Sequence, residues 1–427
     1  MAGGEGTRIR KITKDKIPKS LVSLLGKPIL EHQIEALRKN NVKQIYIVVG
    51  HMGLKISEHF KNGEDFGVSI QYICEETPLG SAGSLFFLKD SIYEDFLLLF
   101  GDVIFDINVD LMYNFHKDRN AIATLFVHPN SHPFDSDLVV VDENSKVLCF
   151  DSKNNNRNYY YSNCVNAGIY FFSPQVFTHF QELKKVDMER DLLFDICGEI
   201  GSVFAYLSSE YVKDVGTPDR LEKTAIHMKN GLVARRNLSN SQKCIFIDRD
   251  GTINKHIGLV TSPEQLELEM NVVEAIGLVN NSGYLAIVIT NQPVVARGLC
   301  SVDTVNEIHK KLHTLLGNQH VYLDDILFCP HHPDKGYHEE NPKYKIDCEC
   351  RKPKVGMIKT AAAKYNIDLR QSWFIGDTTT DLLTGKNAGL MTALVKTGEA
   401  GGDGKYCLEP DYSAKNLLEA VKYILRI

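Results

Sequence analysis

Three cysteines and one histidine, Cys329, His331, Cys348 and Cys350, fall in two close pairs. Thiolates and imidazole at this spacing close a four-ligand site of the structural zinc kind, with no position left for a substrate. Earlier in the chain stands Asp248-Arg-Asp250-Gly-Thr252, directly after an apolar run at 244–247. Two carboxylates two residues apart point the same way from an extended segment. One can attack phosphorus while the other manages the leaving group's proton. Thr290-Asn291 ends a second apolar run with a hydroxyl and an amide, Arg351-Lys352 supplies cations, and Asp377 follows Ile375-Gly376, with Asp381 four residues on. Together these residues read as phosphate-ester chemistry. The zinc would pin a loop that sets Arg351 and Lys352 beside the phosphate. His332 and His338 read as loop residues rather than ligands.

The N-terminus carries a different phosphate motif. Gly3, Gly4 and Gly6 precede Thr7 and Arg8; glycines let backbone N–H groups close around a triphosphate, and an arginine neutralises charge. Lys19 follows Pro18 as a cation on a rigid turn. Gly80, Ala82 and Gly83 lie in a small-residue loop opened by Pro78, where a flat base could approach the backbone. Asp102 ends a strand with a carboxylate suited to magnesium. Asn166 with Gly168, Glu189, and Asp214 ahead of Gly216 supply hydrogen-bonding groups and a further carboxylate.

These residues need elements to position them. Residues 44–50 (QIYIVVG) and 96–100 (FLLLF) are short apolar runs ending at glycine or at Gly-Asp, as buried parallel strands do, with a helical pattern at 29–40. The pattern restarts at 243–247 and continues with strands at 284–290, 325–329 and 372–375. The fold class is α/β with two doubly wound, Rossmann-like domains. At 427 residues two domains are expected: 1–232, a polar linker at 233–242, and 243–427. Residues 154–158 read as a surface loop. Hydrophobic content of 43% is globular, and a net charge of −6 gives no reason to expect nucleic acid or an anionic membrane. No apolar run is long enough to span a bilayer and no basic-then-apolar leader opens the chain, so a soluble, cytoplasmic protein is expected. Apart from the clustered three, the ten cysteines are scattered, which favours a reducing compartment.

In their order, the N-terminal motifs resemble the sugar-1-phosphate nucleotidylyltransferases of GDP-heptose or mannose type, over roughly residues 1–230. The resemblance implies a GT-A-like domain in which a sugar 1-phosphate oxygen attacks the α-phosphorus of a nucleoside triphosphate and pyrophosphate leaves. Asp102 and Asp214 would hold Mg²⁺, and Arg8 and Lys19 would stabilise phosphate charge. Catalysis would be positioning and electrostatics. Glu189 would bind sugar hydroxyls with Asn166 beside it. Glu75 precedes the small-residue loop where pyrimidine-using relatives tend to carry Gln. A carboxylate only accepts hydrogen bonds, which suits the two adjacent donors of guanine. GTP is the expected nucleotide; the bland reading is that Glu75 faces solvent. Members of that family begin with an apolar strand running into the glycine loop. Here Met1 sits where that strand should end, so either the true start lies upstream or the domain is impaired.

The C-terminal series resembles the haloacid dehalogenase (HAD) phosphatases. It implies that Asp248 is the nucleophile and forms a phosphoaspartate, that Asp250 protonates the leaving alkoxide and then activates water, and that Thr290 and Lys352 hold the phosphoryl oxygens, with Asn291 and Arg351 near the substrate. Asp248, the backbone carbonyl of Asp250, and Asp377 would bind Mg²⁺. The zinc loop is similar to that of D-glycero-D-manno-heptose-1,7-bisphosphate 7-phosphatases and of histidinol-phosphate phosphatases. Residues 248–254 (DRDGTIN) and Ala296-Arg297-Gly298 fit the heptose group. Pro293 and Thr378 depart from its pattern near the phosphate site, which puts the exact substrate in doubt. The fusion favours heptose, because a 7-phosphatase leaves the heptose 1-phosphate that a nucleotidylyltransferase consumes. The expected partners are therefore small molecules, heptose phosphates and GTP, with Mg²⁺ in both domains and Zn²⁺ in the second. A homo-oligomer stays open. The alternative is a zinc-loop phosphatase, for histidinol phosphate or another sugar phosphate, carrying an inactive nucleotide-binding or assembly domain.

Overall fold

The computed structural model describes residue 1 and residues 10–14, 16–50, 52–198 and 203–427. The chain divides into two compact units, one of Met1–His128, Asp137–Ser152 and Cys164–Asn237, the other of Pro129–Ser136, Lys153–Asn163 and Leu238–Ile427.

After short elements at 10–28, the first unit has helix α1 (Ile29–Lys39), whose buried face is Ile29, Leu30, Gln33, Ile34, Ala36 and Leu37. The i, i+4 and i+1 spacing of that face follows from 3.6 residues per turn. Strand β1 (Gln44–Val49), helix α2 (Gly53–Phe60) and strand β2 (Ser69–Cys74) form a right-sized crossover, and β1 and β2 pair in parallel. Then come β3 (Phe96–Leu99), β4 (Val103–Asp106), α3 (Val109–Asp118), β5 (Ala123–His128), β6 (Leu138–Val141), β7 (Val147–Asp151) and β8 (Val165–Phe172). Strands β9 (Val203–Leu207) and β10 (Tyr211–Asp214) and helix α4 (Pro218–Lys229) complete the unit. The main sheet has the order β9-β5-β8-β6-β7, with β3 also on β8. It is mixed: β9 runs parallel to β5, while β8 is antiparallel to β5 and β3. Its core gathers Leu125, Val127, Tyr170, Phe172 and Ala205, all at most 2% exposed. Among the described residues no strand joins the β1–β2 pair to the main sheet. Met1 flanks β3: its amino group donates to Leu99 O at 2.8 Å and its carbonyl accepts from Gly101 N at 2.8 Å.

The second unit holds β11 (Lys243–Ile247), α5 (Val272–Asn280), β12 (Tyr284–Asn291), α6 (Val302–Gly317), β13 (Asp325–Cys329), α7 (Gly356–Tyr365), β14 (Trp373–Gly376), α8 (Thr379–Asn387), β15 (Met391–Val395), β16 (Tyr412–Ala414) and α9 (Leu417–Leu425). All six strands are parallel, in the order β13-β12-β11-β14-β15-β16. Numbered within the unit this is 3-2-1-4-5-6, the doubly wound arrangement, and its order reverses between β11 and β14. Strand β11 is central and covered on both faces. Ile245 and Ile247 pack into one core cluster with α5, α6 and α9, while Cys244 and Phe246 pack into another with α7. That is why an uninterrupted apolar run, not an alternating one, forms this strand. The excursions at 129–136 and 153–163 are tied to α6, where Tyr161 N donates to Thr314 Oγ1 at 3.0 Å. No described helix is long and apolar enough to cross a membrane.

Candidate functional site

In parallel α/β sheets a ligand sits beyond the carboxyl ends of the strands, where the order reverses. In the second unit that place is filled by charge. Ile247 of β11 lies opposite Val288 of β12 and Ile375 of β14. The residues just beyond, Asp248, Thr290 with Asn291, and Asp377, therefore emerge side by side. Lys352 reaches in from the loop ahead of α7. Its Nζ lies 2.7 Å from Asp248 Oδ1 and 2.6 Å from Asp381 Oδ1. Asp381 is the third residue of α8, and its other oxygen closes the helix cap by accepting from Thr378 N and Oγ1 at 3.1 and 2.6 Å. Asn291 grips the backbone of Lys352 from both sides, accepting from its N at 3.0 Å and donating to its O at 3.1 Å.

Burial and neighbouring charge set the protonation of this cluster. Burial, with Asp381 alongside, pushes the Asp248 carboxyl well up despite Lys352. Asp377 is raised to about 7, first by burial and then by Asp381. Burial would lower the Lys352 ammonium, but Asp248 and Asp381 overcome it and hold it above its ordinary value. Asp248, Asp377 and Asp381 each offer an oxygen within 4.8 Å of the others. Asp377 Oδ1 is buried with no hydrogen-bond partner, while its Oδ2 accepts from Glu399 N at 2.7 Å. Three carboxylates around one ammonium, with an orphaned oxygen among them, fit a hard divalent cation.

Asp250 faces elsewhere. Its carboxylate takes Arg249 Nη2 at 2.8 and 2.9 Å on its two oxygens, Asn254 Nδ2 at 3.0 Å and Gln292 Nε2 at 2.8 Å. Burial works to raise its pKa, but the Arg249 guanidinium and these donors outweigh it and hold the carboxyl below the usual value.

Behind Lys352, the ligand atoms of Cys329, His331, Cys348 and Cys350 lie within 4.8 Å of one another. The sulfurs are 3.1 to 3.5 Å apart, and His331 Nδ1 is 3.3 Å from Cys350 Sγ. All are free thiols. Hydrogen bonding with Cys329 first, then with Cys348 and His331, holds Cys350 below the ordinary thiol value. Three sulfurs and an imidazole are a donor set suited to tetrahedral zinc. Backbone links carry this site to the phosphate end of the sheet, because Gln292 N donates to Cys329 O at 2.8 Å.

In the first unit, Val103 of β4 faces Asp214 of β10. Asp102 and Asp214 thus stand at one end of the same ladder. Buried Gln33 of α1 fixes the loop before β4, donating to Phe100 O at 2.8 Å and Val103 O at 2.7 Å. Lys19 is ion-paired with Asp102. Arg220 of α4 lies 2.6 Å from Asp214 Oδ2, whose Oδ1 accepts from Gly216 N at 2.6 Å. A second cluster forms where β8 bulges between Asn166 and Tyr170. Gly168 allows the bulge, with φ +72° and a Cβ position only 2.8 Å from the Phe100 ring. Asn166 Nδ2 then donates to Glu189 Oε1 at 2.7 Å, and Tyr170 Oη lies 3.3 Å from the same oxygen. Burial, then Asp187, raises the Glu189 pKa.

Comparison with known proteins matches both halves of the chain. The family described as nucleotidyl transferase covers residues 1–230, and one described as HAD-hydrolase-like covers residues 349–420. The chain belongs to the nucleotidyl transferase family, fused to a HAD-like phosphatase. Its phosphatase half is 38% identical over 187 residues to a D-glycero-beta-D-manno-heptose-1,7-bisphosphate 7-phosphatase of Pasteurella multocida, covering 42% of this chain and 99% of that protein. The transferase half is 33% identical over 206 residues to a UTP–glucose-1-phosphate uridylyltransferase of Synechocystis, covering 45% of this chain and 53% of the relative. It is 32% identical over 223 residues to a mannose-1-phosphate guanyltransferase beta-B of Xenopus laevis, covering 51% of this chain and 60% of the relative. The chain thus spans little more than half of those two transferases.

In the phosphatase unit, Asp248, Thr290, Asn291 and Asp377 come together at the strand ends and Lys352 joins them from the loop ahead of α7, while Arg351 turns to the metal loop. Arg351 donates to His331 O at 3.0 Å, so it braces the metal loop. Gln292 was absent from the site expected from sequence, and Asp381 was named there without a role. Asp381 had a signal, its spacing from Asp377 at the start of a helix. Gln292 had none beyond adjacency to Asn291. In the transferase unit, Gly3, Gly4, Gly6, Thr7 and Arg8 lie outside the described residues. Glu75 is half-buried and accepts from Ser84 Oγ, so it does not simply face solvent. The small-residue loop also packs against the protein's own backbone. Ala82 is 0% exposed, and a Cβ on Gly80 or Gly83 would fall 2.4 Å from Val186 O or 2.6 Å from Lys184 O. Those glycines admit the protein's own backbone. Arg220 and Tyr170 are additions that sequence reading missed: Tyr170 meets Glu189 from a separate strand, and Arg220 reaches back to Asp214 from the helix that follows it.

Proposed function

We propose that this bifunctional chain makes a nucleotide-activated heptose. The phosphatase unit would remove the C7 phosphate of D-glycero-D-manno-heptose 1,7-bisphosphate. The transferase unit would then join the resulting heptose 1-phosphate to GMP from GTP, releasing pyrophosphate, for surface polysaccharide or glycoprotein assembly in the cytoplasm. The carrying observation is the seat formed by Asp248, Lys352 and Asp377 at the ends of adjacent parallel strands, with a four-ligand metal loop behind Lys352. Its likeness to the heptose-bisphosphate phosphatase supports the substrate, and the fused transferase supports the consecutive step.

In this reading an Asp248 oxygen attacks phosphorus, the bond to the C7 oxygen breaks, and Asp250 gives that oxygen a proton. Water then attacks the phosphoaspartate, Asp250 takes the water's proton, and inorganic phosphate leaves with Asp248 restored. Thr290 and Lys352 hold the phosphoryl oxygens. The ionised state that Arg249 favours for Asp250 suits the second half of this cycle. Asp248, the carbonyl of Asp250, and Asp377 would hold Mg²⁺, which neutralises phosphate charge, and Asp381 supports the cluster. Cys329, His331, Cys348 and Cys350 would hold structural zinc. In the transferase unit Asp102 and Asp214 would hold Mg²⁺, with Lys19 and Arg8 on phosphate charge; the Lys19 and Arg220 ion pairs balance the two carboxylates. Glu189 and Asn166 would bind sugar hydroxyls, and Glu75 would accept from guanine.

The test is incubation with heptose 1,7-bisphosphate, Mg²⁺ and each nucleoside triphosphate, followed by mass spectrometry. GDP-heptose is expected. Heptose monophosphate as the sole product would instead favour a phosphatase with a silent transferase unit. That second reading draws on the β1–β2 pair, which no strand among the described residues joins to the main sheet.

A further inference from the structure

Gln292 is 2% exposed, and neither its type nor its position is needed to hold phosphate or metal. Yet its amide nitrogen makes two hydrogen bonds, to Asp250 Oδ2 at 2.8 Å and to Thr290 Oγ1 at 2.9 Å. An NH₂ group has two protons, so both bonds form at once. The flipped amide would set its oxygen against an ionised carboxylate, which fixes the assignment electrostatically. Because Thr290 Oγ1 accepts from Gln292, its own proton is left to point into the phosphate seat. Because Asp250 Oδ2 accepts from the same group, the proton-transfer carboxylate is set at a constant position relative to that hydroxyl. The backbone of Gln292 is itself anchored, its N–H donating to Cys329 O at 2.8 Å.

We propose that Gln292 is a positioning residue for the phosphatase reaction, coupling the orientation of the Thr290 hydroxyl to that of the Asp250 carboxylate. This rests on the reading of Asp250 as the group that protonates the leaving oxygen. A misplaced proton donor penalises a basic leaving group far more than an acidic one, so the substrate's leaving group reports the coupling. Three variants of the full chain are compared with wild type: Gln292→Leu, which removes the amide, Gln292→Glu, which keeps its shape but cannot donate to an ionised Asp250, and Asp250→Asn as reference. Each is assayed with a sugar phosphate, an alkyl ester, and with p-nitrophenyl phosphate, an aryl ester. Asp250→Asn is expected to lose about 10²–10⁴-fold in kcat on the alkyl ester and much less on the aryl ester. Both Gln292 variants are expected to lose about tenfold or more on the alkyl ester and under about threefold on the aryl ester. Equal losses on both esters, or none, in the Gln292 variants while Asp250→Asn discriminates would overturn the coupling. Absence of discrimination in Asp250→Asn would overturn the role of Asp250 itself, and the coupling with it. Gln292→Glu guards against a packing defect, since it preserves side-chain volume.

Discussion

At the residue scale the phosphatase site turns on one lysine among three carboxylates. Lys352 bonds to both Asp248 and Asp381, is anchored through its backbone by Asn291, and is 5% exposed. Ionisation of Asp248, which the proposed attack requires, is opposed by burial and by Asp381 and Asp377, and favoured by Lys352. Asp248→Asn removes the attacking oxygen's charge. It should lower phosphatase turnover by about a thousandfold or more and abolish the phosphoenzyme seen in acid-quenched samples. Nucleotidyl transfer to an added sugar 1-phosphate should be unchanged in the same variant, because its residues lie in the other unit. For the transferase, Glu75→Gln restores an amide donor. The ratio of kcat/KM for GTP to that for UTP should then fall by about tenfold, measured by pyrophosphate release. An unchanged ratio would remove Glu75 from base selection.

At the scale of elements, strand ends and loops bring the chemistry together. The turn after β11 passes so close to Asp377 that a Cβ on Gly251 would stand 2.2 Å from Asp377 Oδ2, at a φ of +79°. Gly251→Ala should therefore cost about 1–3 kcal/mol of stability, read by urea denaturation, and weaken Mg²⁺ activation by displacing Asp377. The metal loop acts through its backbone. Cys350 is followed by Arg351 and Lys352, and Cys329 O holds Gln292. If this loop holds zinc as proposed, Cys348→Ser should lower the zinc content counted by elemental analysis and lower phosphatase activity at least about tenfold with nucleotidyl transfer intact. Full phosphatase activity without zinc would show that the loop does not depend on the metal.

At the scale of the whole molecule, stability can be followed one unit at a time. The chain has one tryptophan, Trp373 at the start of β14, so its fluorescence reports the phosphatase unit alone. Helix α6 carries His309 and His313. Burial lowers His309 well below the ordinary value, and Arg249 adds to this; burial brings His313 to about 4. A depressed histidine stays neutral in the folded state while the unfolded chain takes up a proton. Its stabilising effect is therefore full above about pH 6.5 and is lost as pH falls toward about 4. The Trp373 unfolding midpoint should drop between pH 7 and pH 5, with His313 accounting for about 1–2 kcal/mol. His313→Asn should flatten that dependence, and an unchanged slope would exclude His313 as its source.

The sequence by itself determined which groups end strands and which metals they suit. A wholly apolar run at 244–247 suits a strand covered on both faces, which sets Asp248 at a sheet end, and two close pairs of Cys and His suit a soft metal. The HAD series and the nucleotidyl transferase series were legible for this reason, since each residue type follows a local pattern. The tertiary structure alone decided what those groups touch. It set Asp381 on Lys352, Gln292 between Asp250 and Thr290, Arg220 on Asp214 and Tyr170 beside Glu189. It also set the glycines at 80 and 83 against the backbone at 184–186. The reason is range. Periodicity and capping act over a few residues along the chain, whereas contacts such as Lys352 with Asp248 close a separation of about a hundred residues, which only packing of the whole sheet can specify.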